Sequence, residues 1–158
     1  MNTPDVYAPP IQRRPMAGEM SPPIGRFVSV SDPNAERYFV RDVRILEANS
    51  YRWTGKNPTF RFLLQSTKNL KFLMEFSISG ETMKVTGPLT MAVSVNGRLL
   101  DRVTYSEPGP KLFEKPVEES WLSEDRETIV SVEFDKVYIA EADGVQLGVT
   151  LSRAGFLE

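Results

Sequence analysis

Neither cysteine nor histidine occurs in the 158 residues of this chain. Their absence excludes a disulfide framework, a thiol nucleophile, a Cys/His zinc site, an iron–sulfur cluster and a Ser-His-Asp triad. Any enzyme built on it would work with carboxylates, Lys, Tyr, Ser or Thr. Long apolar runs are lacking as well, and none approaches the ~20 residues of a helical membrane span. The start, Met1-Asn2-Thr3-Pro4-Asp5, has neither the basic segment nor the apolar core of a signal peptide, so a cytoplasmic protein is expected. Charge of one sign is scarce: the net charge is -2 and no Lys/Arg run is longer than Arg13-Arg14, which leaves no field for gathering nucleic acid. What remains is ordinary for one globular domain, 41% hydrophobic and 25% charged, and large enough for a real core.

The clearest local signal is Leu89 to Val103, two apolar-alternating runs joined by Asn96-Gly97. Asn-Gly supplies the positive φ angles of a type I′ turn and predicts an antiparallel hairpin. Leu89, Met91, Val93 and Val95 fall on one face of the first strand. In the second, a regular register sets Arg98 opposite Val95 and Leu100 opposite Val93, leaving Leu99 and Val103 on the other face. A bulge near the turn, or burial of both faces, would repair the pattern.

Residues 1–23 hold half of the twelve prolines and little apolar periodicity, which reads as a flexible or polyproline-like arm; Tyr7 to Ile11 within it could lie along a partner or a neighbouring subunit. Residues 24–158 read as a single domain. Phe27 to Val30 and Tyr38 to Leu46 are expected strands, with a polar turn between them. Thr59 to Gln65 and Leu70 to Ser79 alternate, the latter with Leu70, Phe72, Met74, Phe76 and Ile78 on one face, and Gln65 to Asn69 is expected to join them as a hairpin. Lys111 to Val117 is extended, and Pro116 suggests an edge. Val117 to Arg126 is the single stretch that suggests a turn of helix. Thr128, Val130, Val132 and Phe134 alternate, Glu141 to Gly144 turns the chain, and Leu147, Val149 and Leu151 alternate in a last strand. About eight to ten short strands separated by turn signals indicate an all-β antiparallel sandwich or barrel.

Several segments together resemble a bacterial family of jelly-roll β-sandwich domains, similar to galactose-binding-like and carbohydrate-binding modules. They are Tyr51-Arg52-Trp53-Thr54-Gly55, Val93 to Arg98, and Asp143 to Val149. The likeness runs from about Arg41 to the C-terminus. It implies a jelly-roll sandwich and a non-catalytic role, and it carries over no catalytic residue.

Sugar binding needs an aromatic surface for a pyranose face and polar side chains for its hydroxyls. The expected ligand-binding residues are Trp121 and Arg126 in the acidic loop, Tyr105 in the proline-bounded loop, and Tyr51, Arg52 and Trp53 before a strand. Of the two tryptophans, Trp53 has more the position of a core plug, and Trp121, among Glu118, Glu119 and Asp125, the better claim to exposure. Twenty-one acidic residues allow a hydrolase pair to be nominated, including Glu75, Asp101, Glu114, Glu119 and Glu133, but no spacing fixes two across the ~5 to 9 Å such chemistry requires. No cofactor is expected. Asp32-Pro33-Asn34 and Glu141 to Gly144 offer oxygens that could suit calcium, and both read equally as turn chemistry, so metal stays unassigned.

The function these features favour is a module binding a carbohydrate or another small polar ligand through aromatic-bearing loops. The alternative is a protein-interaction or assembly domain, self-associating or meeting a partner through the arm or an exposed sheet face, as Leu63, Leu73 and Leu99 on supposed outer faces suggest.

Overall fold

The Asn96-Gly97 hairpin forms as its sequence predicts. Both residues hold positive φ, 50° and 84°, between β5 (Leu89–Val95) and β6 (Arg98–Tyr105). A computed structural model describes residues 23–158, and the expected arm falls almost wholly outside them. In the hairpin Val95 pairs with Arg98 and Ser94 with Leu99, but Val93 pairs with Asp101, so Leu100 is the extra residue of a bulge. The bulge moves Val103 and Tyr105 onto the core side with Leu100 and leaves Leu99 47% exposed.

The remaining elements are β1 (Phe27–Ser29), β2 (Phe39–Glu47), β3 (Tyr51–Phe62), β4 (Lys71–Ile78), β7 (Gly109–Pro116), β8 (Thr128–Phe134), β9 (Tyr138–Ile139), β10 (Gln146–Leu147) and β11 (Thr150–Leu157). Every strand pair among the described residues is antiparallel. The main sheet runs β6-β5-β8-β3-β11-β4-β7, with β1 beside β11 and β2 beside β3. The first half of β3 pairs with β11 through Arg52 and Trp53, and its second half pairs with β8 through Thr59 to Phe62. One strand thus passes from layer to layer, and the protein is an all-β antiparallel sandwich.

The core is aromatic where the layers meet. Phe62 of β3 lies edge-on to Phe156 of β11 at 5.6 Å and to Phe72 of β4 at 6.5 Å, with Tyr38 at 5.8 Å. All the alternating apolar positions predicted for β4, β5 and β8 are buried. Gly155 lets β1 approach β11: at φ 151°, a Cβ there would sit 2.5 Å from the Arg26 carbonyl oxygen.

Several expectations are corrected. Tyr51 to Gly55 and Thr59 onward are one strand. β3 and β4 are not a hairpin: β11 lies between them, and Gln65 to Asn69 carries the chain across. Alternation reports which side of a strand is buried, never which strand lies beside it. The last strand is broken, with β10 forming a separate pair with β9. Finally, an α-helix, α1 (Gly80–Thr86), occupies a stretch read without one. Its signals were present: the Ser79 hydroxyl accepts the Thr82 N–H at 3.0 Å, Glu81 and Lys84 match the helix ends, and Gly87 at φ 70° closes it. Val117 to Arg126 holds only a 3₁₀ turn, Glu119–Trp121. Leu73, expected on an outer face, is 5% exposed, which weakens the case for an apolar docking face.

Phe62→Ala should lower stability by about 3–5 kcal/mol and Leu99→Ala by no more than ~0.5 kcal/mol, read from urea midpoints at unchanged slope.

Candidate functional site

The hairpin turn carries more than the chain reversal. The Asn96 carboxamide donates through Nδ2 to the Trp121 carbonyl at 2.8 Å and accepts the Ile129 N–H at Oδ1, 2.9 Å. The Asn96 N–H donates to the Ile129 carbonyl at 2.8 Å. One turn residue therefore holds both the loop before β8 and the start of that strand. Within the loop the 3₁₀ turn is closed by Leu122 N–H to the Glu119 carbonyl, and Lys68 Nζ reaches Glu119 at 3.3 Å.

Between turn and loop lies a groove of about 510 Å³, lined by Asn96, Arg98, Ser120, Trp121, Ser123 and Arg126 among others. The Arg98 guanidinium stands 5.9 Å over the Trp121 ring. Among the described residues neither Arg98 nor Arg126 has a carboxylate within ion-pair distance. The arrangement offers a flat indole, two guanidinium forks and two hydroxyls in one concavity, suited to a polyhydroxylated or acidic ligand with an apolar face.

The other expected residues lie elsewhere. Tyr105 is at the far end of β6 from the turn, edge-on to Phe76 at 5.6 Å with Lys111 Nζ 5.8 Å from its ring. Burial, and secondarily the Asp101 charge, raise its hydroxyl pKa above the ordinary 10.0. Asp101 itself is held below the usual carboxylate range, chiefly by the Arg102 N–H; burial opposes this, and Lys115 at 3.3 Å adds to the lowering.

Tyr51 and Trp53 share one side of β3 and are half-buried, whereas Arg52 points to the other side and is 6% exposed. Its Nε donates to the Val30 carbonyl at 3.0 Å and its Nη1 to the Arg44 carbonyl at 3.1 Å; its guanidinium carbon lies 5.1 Å from the Phe39 ring centre. Arg52 reaches a second groove, about 940 Å³, beside β2, which neither Tyr51 nor Trp53 lines. Both tryptophans are half-buried; Trp121 packs partly against the core, and Trp53 is not part of the core cluster. Of the six expected residues, the structure thus joins only Trp121 and Arg126. It adds Arg98 and Asn96 of the hairpin, for which the sequence holds one signal, a cation beside a solvent-facing Asn-Gly turn.

The chain is similar to a carbohydrate-binding module. That module, of family 35 from Clostridium thermocellum, is 9% identical; the likeness covers 87% of this chain and 98% of the module, at a TM-score of 0.43. An acetyl xylan esterase (Est2A) from the rumen bacterium Butyrivibrio proteoclasticus is 11% identical, with 86% of this chain and 34% of the esterase covered and a TM-score of 0.47. A family GH115 4-O-methyl-α-glucuronidase, with specificity for decorated arabinogalactans, is 9% identical over 93% of this chain and 19% of its own, at a TM-score of 0.45. The chain therefore spans about a third of the esterase and a fifth of the glucuronidase. No family model matches the chain, and no curated protein does.

Among the described residues no group of three or more acidic side chains is placed to hold a metal. Asp32 Oδ2 instead accepts the Ser29 N–H at 2.9 Å and Asp143 Oδ1 the Val145 N–H at 3.1 Å, which is turn chemistry. No helix among them is long and apolar enough to cross a membrane.

Asn96→Gly keeps the turn and removes both carboxamide bonds. It should cost about 1–3 kcal/mol and, with Trp53→Phe as background, change the Trp121 emission of the folded protein. In ultraviolet titration, the tyrosine signal lost in Tyr105→Phe should ionise above pH 10.0, and Asp101→Asn should bring that ionisation down. Since the folded-state pKa is the raised one, Tyr105 contributes stability that is complete below the unfolded value and lost as pH rises through the folded value.

Proposed function

We propose that this domain is a non-catalytic β-sandwich module that binds a carbohydrate, or a comparable small polar ligand, in the groove between the Asn96-Gly97 turn and the loop of Trp121. The observation that carries the reading is the meeting of Trp121, Arg126 and Arg98 in one concavity. An indole face favours the apolar side of a sugar ring, and two guanidinium groups without carboxylate partners among the described residues supply donors for hydroxyls or an acidic substituent. The likeness in fold to a carbohydrate-binding module is in keeping with this. Rigid support favours it too: Trp121 is seated against the core and its carbonyl is held by Asn96, so little ordering entropy is spent on binding. Tyr105 has no part in this site, and Tyr51, Arg52 and Trp53 belong to other surfaces.

A glycan array probed with the intact protein and with Trp121→Ala tests the proposal. Binding by the parent should fall at least about tenfold in the variant, the loss of roughly 1.4 kcal/mol, with the circular dichroism spectrum unchanged. Silence across neutral and acidic glycans alike, or equal binding by the variant, would overturn it.

A further inference from the structure

We propose that the groove beside β2 is a second binding site, separate from the turn groove, and that it takes a small carboxylate with an apolar body, the carboxylate seated on Arg52. The argument begins with an under-compensated charge. Arg52 is more than nine-tenths buried, and a buried guanidinium is tolerated when it is paired as well as hydrogen-bonded. Its Nε and Nη1 are fixed by the carbonyls of Val30 and Arg44, which are dipoles and leave the positive charge standing. Among the described residues Nη2 makes no hydrogen bond, and Arg52 lines the groove.

The carboxylate nearest to it, Glu36, stands 3.6 Å from Nη1 on a side chain 79% exposed. That is a direct but long ion pair with a solvent-exposed partner, and it shows which chemistry the guanidinium accepts. A ligand carboxylate that enters the groove can displace Glu36 to solvent and take both Nη atoms in fork geometry, a contact Glu36 does not make. Orientation is already provided, because two carbonyls and the Phe39 ring hold the guanidinium in place.

The walls specify the rest of the ligand. Val40, Val43 and Ile45 line the groove, and Ile45 is 74% exposed, so a carbon chain attached to the carboxylate would cover apolar surface now in water. The other cations of the groove differ in setting. Arg41, whose Nε donates to Thr59 Oγ1 at 3.2 Å, and Arg44 are both solvent-exposed, so water screens their charge, whereas Arg52 is buried.

Hexanoate and hexanamide are the probes, titrated into the whole chain while the methyl resonances of Val43 and Ile45 are followed. Hexanoate should shift them saturably and hexanamide should not. Arg52 also braces Val30 and Arg44, so the deciding variant is Glu36→Gln, which removes the internal competitor from an exposed position. It should tighten hexanoate binding by up to about fivefold, the strength of an exposed ion pair. Trp121→Ala should leave hexanoate binding unchanged, which separates this site from the glycan reading. The proposal is overturned by shifts that hexanamide reproduces, by no saturable shift in either the parent or Glu36→Gln, or by an affinity that Glu36→Gln leaves equal or weakens.

Discussion

The sandwich depends on β3 serving both layers. Its first half pairs with β11 and its second with β8, and Phe62, near its end, touches Phe156 and Phe72 of the opposite layer. Backbone pairing alone would allow the layers to splay. The edge-to-face ring contacts fix how far they stand apart and bury Phe60, Phe62, Phe72 and Phe156 in one cluster. Gly155 is part of the same constraint, because β1 can close over β11 only where no Cβ intervenes.

From that frame follow two grooves of different origin. The turn groove is made by a loop tied to a hairpin, and a single carboxamide does the tying. The β2 groove arises from an irregular edge: β2 shifts register three times against β3, and Asp42 takes a φ of 58° within it. Bulges of this kind blunt an exposed edge against pairing with another chain, and here they also open space above a buried arginine. One groove is organised by an aromatic ring and free cations, the other by a cation short of a counter-charge.

The expected binding surface was legible only in part. Trp121 and Arg126 lie five residues apart in one loop, so their meeting required little beyond the loop staying compact. Tyr105 and Trp121 needed more: whether they meet depends on which end of β6 each is near, and they lie at opposite ends. Tyr51, Arg52 and Trp53 could not serve one site from a strand, since consecutive side chains point to opposite faces. Alternation already contained that fact. It applies because the segment is strand, paired with β2 on one side and with β11 on the other.

Local and periodic features follow from residue order: the faces of β4, β5 and β8, the Asn-Gly reversal, the edge position of β7 with its Pro116, and the chemistry excluded by lacking cysteine and histidine. Each is set by the backbone preferences and side-chain spacing of neighbours in the chain. The tertiary structure alone decided that β11 separates β3 from β4, that Asn96 anchors the Trp121 loop, and that Arg52 is buried beneath β2. Arg52 meets Val30 across 22 positions and Asn96 meets Trp121 across 25, while β11 comes to β3 from the far end of the chain. Strand order sets them, and alternation carries no information about strand order.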